Sequence, residues 1–216
     1  MTKKDYILGI IAGLLIGFLA LPVLKAVKPA LFVKFAAAVP VFFLIAVPVG
    51  LIIFYFLSGK VAVLWQIGKF GVIGVLNTLV DWGVLALLIL AFRKYLGIES
   101  TNAFIIGLTF YSLYKSISFI VANVNSYYWN KYWTFSSGVL RKTKAEYLQF
   151  LAVSIVGFAL NVGIASYVFD YIHPFTGMNP DQWGIIGAAV GSIIGLMWNF
   201  LGYKFIVFKP SSRNSI

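Results

Sequence analysis

The chain contains no cysteine, which rules out disulfides, thiolate metal sites and cysteine nucleophiles. Its single histidine, His173, leaves no histidine-based metal cluster. Only 11% of residues are charged, and six are acidic: Asp5, Asp81, Glu99, Glu146, Asp170 and Asp181. These six form no metal-binding carboxylate cluster and no nucleophile–base pair accompanies them, so the sequence argues against an enzyme and calls for no cofactor. What it has in abundance is apolar surface. The chain is 61% hydrophobic, with a mean hydropathy of +0.95, more than a soluble domain of 216 residues needs. It reads as an all-α integral membrane protein.

The net charge of +11 does not point to nucleic acid, because the basic residues are scattered at the ends of apolar segments. In a membrane protein that pattern sets topology and contact with anionic lipid. Windows of about 20 apolar residues suffice to cross a bilayer. Six are expected, near 6–24, 31–57, 65–92, 102–128, 147–171 and 184–204. The first lacks a small-x-small cleavage site and leads straight into the second, so it reads as a retained span. With the N-terminus inside, eleven Lys and Arg fall on the cytoplasmic side and five outside, leaving Lys115 within the membrane. Both termini are therefore expected in the cytoplasm; the expected location is the inner membrane of a prokaryote.

Residues 1–60 differ from the rest and read as a two-helix hairpin. Gly9, Gly13 and Gly17 form a GxxxGxxxG stripe suited to close helix packing. Pro40 and Pro48 lie about two turns apart and predict a bend in the second span. Residues 61–209 read as a four-helix domain, and 210–216 as a disordered tail. Within the four-helix domain Gln66 precedes Gly74 as Gln149 precedes Gly157, and KYWTF (131–135) is echoed by KFIVF (204–208). Two parallel two-helix repeats account for this, with chance similarity between hydrophobic helices as the competing account.

Polar groups at membrane depth are expensive and tend to face protein or water. Asp81 in the third span and Lys115 in the fourth fall at similar depth, which predicts an ion pair or a shared polar cavity. The alternative is a pair that only fixes helix register. Tyr111, Lys115, Ser118, Ala122 and Asn125 fall on one helical stripe, with Ser112, Ser116, Asn123, Ser126 and Asn130 beside it. Asn77 lies one turn from Asp81. Gly187, Gly191, Gly195 and Asn199 form a small-residue stripe, and Asn161 and Asn199 read equally well as helix cross-links.

The polar stripe runs into ANVNSYYWNKYWTF (122–135). Interfacial aromatic belts explain its Tyr and Trp residues but not Asn123, Asn125, Asn130 and Lys131 among them. Amides and a cation beside aromatic rings suit a sugar and a phosphate at a lipid headgroup.

From about Trp65 to Lys209 the chain resembles the GtrA-like family of small four-helix membrane proteins. The resemblance rests on QIGKFGVIGVLNTLVD (66–81), SYYWNKYWTF (126–135) and WNFLGYKFIVF (198–208), in that order and spacing. It implies a link with polyprenyl-phosphate sugars, which a separate glycosyltransferase makes on the cytoplasmic face and which are carried across for glycosylation of surface polymers. Asn77, Asp81, Asn130, Lys131, Asn199 and Lys204 match the family's recurrent polar positions. The two N-terminal helices depart from the four-span pattern.

The leading expectation is a flippase for a polyprenyl-phosphate sugar, with Asn77, Asp81, Lys115, Asn123, Asn125, Asn130, Lys131, Asn161, Asn199 and Lys204 as candidate substrate-binding residues. Lys131 and Lys204, with Arg141 or Lys142, would hold phosphate. The amides of α-helical stripe residues Asn123, Asn125 and Asn130 would meet sugar hydroxyls. The alternative is a non-transporting scaffold that recruits or orients a membrane glycosyltransferase, using the N-terminal hairpin. A proton-coupled exporter of cations is a third reading, disfavoured by Lys115 beside Asp81. The expected partners are the sugar lipid and membrane lipids. A glycosyltransferase and a second copy of the chain are left open, and nucleic acid is not expected.

Overall fold

The computed structural model describes residues 1–105, 108–136, 144–175, 177 and 180–208. The expected disordered tail and the cations Arg141 and Lys142 lie outside the described residues. The protein is mostly helical and divides into two compact units, Met1–Thr134 and Phe135–Ile216.

The first unit opens with α1 (Lys3–Val27), followed by α2 (Pro29–Phe35), α3 (Ala38–Ser58) and α4 (Val63–Leu96). A β-hairpin, β1 (Ala103–Ile105) and β2 (Leu108–Thr109), precedes α5 (Phe110–Trp129), which runs directly into a π-turn at Asn130–Thr134. Helix α1 begins with a capping box: the Thr2 side chain accepts from the Asp5 amide while Asp5 accepts from the Thr2 amide. Helix α4 ends at Gly97, whose φ of +64° is readily open only to glycine. There Gly97 N donates to Arg93 O and Ile98 N to Phe92 O, closing the helix.

Two expected spans are built differently from their sequence reading. The segment 31–57 is not one helix, because it breaks at residues 36–37 into α2 and α3. Pro40 accounts for the break: it has no N–H for the Ala36 carbonyl, and its ring clashes with that carbonyl. Pro48 is accommodated inside α3. The segment 102–128 is not helical from its start, since residues 103–105 and 108–109 form the paired strands. Asn102 anchors that turn, its Oδ1 accepting from Glu99 N at 2.7 Å and its carbonyl from Phe110 N at 3.0 Å.

Helix α1 packs on α3 and α4, and α4 packs on α5 and the π-turn. Ala12, Ile16, Leu51, Ile73, Leu76 and Trp133 sit at the centre of this core, each at most 1% exposed. The glycine stripe of α1 is its contact with α3. A Cβ on Gly13 would stand 2.5 Å from Phe43 O, and one on Gly17 would stand 2.5 Å from Pro40 Cα.

The second unit contains α6 (Lys144–Tyr171), α7 (Pro180–Gly202) and a second π-turn, Tyr203–Val207. Here too the small-residue stripe is a helix contact. A Cβ on Gly191 would lie 2.2 Å from Asn161 O, and one on Gly195 would lie 2.8 Å from Gly157 O. Trp183 and Trp198 donate their indole N–H to the Val168 and Val153 carbonyls, each at 3.1 Å. Phe150 stacks on Tyr203 with ring centroids 4.1 Å apart. Each unit thus contains a helix passing into a five-residue π-turn whose second residue is lysine.

Among the described residues, five helical segments are long and apolar enough to cross a membrane: Lys3–Lys25, Ala38–Ser58, Val63–Leu96, Lys144–Val168 and Ala189–Val207. The sixth expected span, now α5, falls short because its 20 residues carry Lys115, Asn123, Asn125 and four serines.

Gly13→Ala should destabilise the protein by about 1–3 kcal/mol, because backbone must move to admit the methyl group. Gly50→Ala, where a Cβ meets nothing within 4 Å, should stay within about 0.5 kcal/mol of wild type. Thermal unfolding of both variants in detergent checks the contrast.

Candidate functional site

The described polar side chains of the first unit gather at two levels. The inner level lies near the midpoint of α4, where Asp81 points towards the second turn of α5. Lys115 donates to Asp81 Oδ2, and Ser118 donates to Asp81 Oδ1 at 2.7 Å. Ser118 is fully buried. One turn along α4, Asn77 Oδ1 accepts from Asn125 Nδ2 at 3.4 Å. The two helices thus face one another through a ladder of one ion pair, one hydroxyl and one amide pair. The ion pair is unevenly enclosed: the Asp81 side chain is 18% exposed and that of Lys115 is 42% exposed. The carboxylate is held by two donors, and the ammonium beside it is the more exposed partner.

Ser112 and Ser116, expected on the adjoining stripe, do not join the ladder. Ser116 spends its proton on the Ser112 carbonyl at 2.8 Å and lies exposed.

The second level lies where α1 and α4 begin and α5 ends. Asn130 is 1% exposed and donates to Ser126 O and Ser126 Oγ at 2.9 and 3.1 Å. Its Oδ1 is buried without a hydrogen-bond partner, as is Thr134 Oγ1 one turn on. Lys131 is 5% exposed, and its Nζ donates to Tyr127 OH at 3.0 Å. Asn123 is buried on the same helix. The two levels therefore share α5, as the polar stripe predicts.

Three residues at this level were not singled out as site residues from the sequence. Asp5 and Lys69 form a buried ion pair at 3.3 Å, their side chains 8% and 7% exposed. Trp133 Nε1 donates to the same Asp5 oxygen at 3.0 Å, while Lys69 also donates to Trp133 O at 3.1 Å and lies over the Trp65 ring. Counted only as a topological charge, Lys69 nevertheless sits inside an apolar run and needs an anion. The capping signature TKKD at 2–5 hides that anion, because capping occupies only one carboxylate oxygen. By contrast the Arg93–Glu99 pair, about half exposed on both sides, contributes about 0–1 kcal/mol.

In the second unit Asn161 Nδ2 donates to Ser192 Oγ at 3.4 Å, and Asn199 packs against Gly157 with its Oδ1 buried and without a hydrogen-bond partner. Asn161 thus cross-links α6 to α7. Lys204 lies over the rings of Phe200 and Phe205. Ser154 donates to Phe150 O at 2.8 Å, so in its 2.6 Å contact with Tyr203 the phenol is the donor. Among the described residues no group of His, Cys, Asp and Glu is arranged to hold a metal ion.

Apolar helices with charges paired in their interior define a multi-pass helical membrane protein. Residues 69–208, well over half of the chain, match the family model "GtrA/DPMS, transmembrane domain", and the chain belongs to that family. The uncharacterized membrane protein YngA of Bacillus subtilis (strain 168) is 29% identical over 149 residues, which cover 68% of this chain and 82% of that protein. No solved structure matches the chain. Helices α1–α3 precede the matched segment.

Breaking the inner pair should cost more than removing it. Asp81→Leu alone should destabilise by about 3 kcal/mol, towards the low end for broken buried pairs because Lys115 is partly open, and Asp81→Leu with Lys115→Met should recover most of that loss. A double-mutant cycle on detergent-solubilised protein measures the coupling.

Proposed function

We propose that this protein moves a polyprenyl-phosphate-linked sugar across the cytoplasmic membrane, for glycosylation of cell-surface polymers, without itself catalysing a reaction. The observation that carries this reading is the Asp81–Lys115 pair, with Lys115 42% exposed beside the middle of α4. A charge left open at that depth is costly in lipid, so it belongs against a polar filling such as water or a passing headgroup. Membership of the GtrA/DPMS family supports the same reading.

In this scheme phosphate is drawn to a lysine on a π-turn beside aromatic rings, Lys131 in the first unit and, independently, Lys204 in the second. Sugar hydroxyls engage Asn123, Asn125 and Asn130, and the headgroup passes the level of Asn77, Asp81 and Lys115 while the prenyl tail stays in lipid. Asn161 and Asn199 serve the second helix pair mainly by holding α6 and α7 together. Both termini lie in the cytoplasm. A membrane glycosyltransferase supplies the lipid-linked sugar, and movement follows its gradient.

The test places purified protein in liposomes containing a polyprenyl-phosphate hexose, with an impermeant oxidant reporting exposure of inner-leaflet sugar. Wild type should expose the sugar at least tenfold faster than protein-free vesicles. Asp81→Asn, which keeps the side chain's shape and removes its charge, should bring the rate down to the protein-free value. A folded wild type that performs no better than empty vesicles would sink transport and leave the scaffold role for a glycosyltransferase.

A further inference from the structure

The N-terminal helices lie outside the family segment, yet α1 reaches the turn that carries Asn130 and Lys131. The last carbonyls of a helix have no N–H of their own to accept from. At the end of the π-turn following α5, two of them are taken by ammonium groups from other helices. Lys4 of α1 donates to Tyr132 O at 2.7 Å, and Lys69 of α4 donates to Trp133 O at 3.1 Å. Cations at this end also oppose the negative pole of the helix dipole.

Lys69 is buried, so its position depends on its counter-ion. Asp5 supplies it, and the same Asp5 oxygen accepts the Trp133 indole proton. Its other oxygen takes the amide and hydroxyl of Thr2, at 2.9 and 2.7 Å. Asp5, Lys69 and Trp133 therefore form a closed triangle, tied at one corner to the start of α1. π-turns are rare and occur mostly as single turns within helices, and this one is braced from outside by Lys4, Lys69 and Asp5.

The turn held in this way carries two buried acceptors without partners, Asn130 Oδ1 and Thr134 Oγ1. An ionised phosphate has only acceptors: it could take the Thr134 hydroxyl proton but cannot satisfy Asn130 Oδ1. A sugar hydroxyl has a proton to donate to each.

We infer that Asp5 is a positioning residue for sugar binding: acting through Lys69 and Trp133, it holds the π-turn so that Asn130 Oδ1 accepts a hydroxyl proton of the lipid-linked sugar and the Thr134 hydroxyl bonds to another of its hydroxyls. This rests on the function proposed above and extends it to a hairpin the family segment does not include. The hairpin is then part of the headgroup site as well as a membrane anchor.

The experiment uses the full chain with Asp5→Asn, Asp5→Glu and, as a control at the exposed pair, Glu99→Gln. Hydrogen–deuterium exchange in lipid nanodiscs reads the amides of 130–134. Liposome transport at graded densities of undecaprenyl-phosphate glucose reads half-saturation separately from maximal rate. Asp5→Asn should speed exchange in the turn tenfold or more and raise the half-saturating density at least fivefold, with the maximal rate within twofold of wild type. Asp5→Glu, which keeps charge and cap, should restore both, and Glu99→Gln should change neither. If Asp5→Asn fails to fold, Trp133→Phe removes only the indole donor and is read in the same way.

Unchanged exchange in folded Asp5→Asn would overturn the inference. Faster exchange with unchanged half-saturation would overturn it as well, reducing the triangle to a structural clasp. If wild type moves no lipid, the transport reading fails on its own, and native mass spectrometry of the same lipid bound in nanodiscs decides the inference. Weaker binding by Asp5→Asn would support it, and equal binding would end it.

Discussion

The carboxylate of Asp5 is the point on which the first unit's architecture converges. It caps the start of α1, neutralises the buried ammonium of α4 and accepts the indole proton of the turn that ends α5. Asp5 and Lys69 are both buried, so a partner lost here leaves a charged group enclosed without a replacement. Four donors on one carboxylate make the group affordable in a buried place, where an unpaired charge would cost several kcal/mol. The GxxxGxxxG contact brings α3 against α1, and Asp5 then links α1 to α4 and the π-turn.

The Asp81–Lys115 level follows the opposite logic. Asp81 is held by two donors, while the Lys115 side chain is partly open. A pair meant only for register gains nothing from leaving its ammonium exposed beside the middle of α4, since enclosure would spare lipid the charge. The two pairs therefore differ in enclosure: Asp5–Lys69 is shut in on both sides, while Asp81–Lys115 is open at its lysine.

Much of this was legible in the sequence because membranes enlarge the cost of polarity. Asp81 and Lys115 stand out in apolar runs, and equal depth on antiparallel neighbours is enough to predict their contact. The amide stripe of α5 follows from helical spacing alone. The Asp5–Lys69 pair was hidden because each residue has an ordinary explanation, one as a cap and the other as an interfacial cation. Sequence distance gave no help either, since a bond between residues 5 and 69 depends on how α1 crosses α4. The same limit applies to Asn199, whose contact with Gly157 is set by the closeness of α6 and α7.

By itself, then, the sequence determined that this is a helical membrane protein, roughly where its spans lie and which residues are too polar to face lipid. Those properties depend on local composition and on the 3.6-residue period, which every residue carries with it. Only the tertiary structure decided which polar groups are consumed in holding helices together and which keep an atom to offer. Helix breaks at residues 36–37, the strand pair before α5 and the triangle around Asp5 belong to the same category. Each is a matter of partner and distance between separated segments, and burial without water makes those choices costly to change.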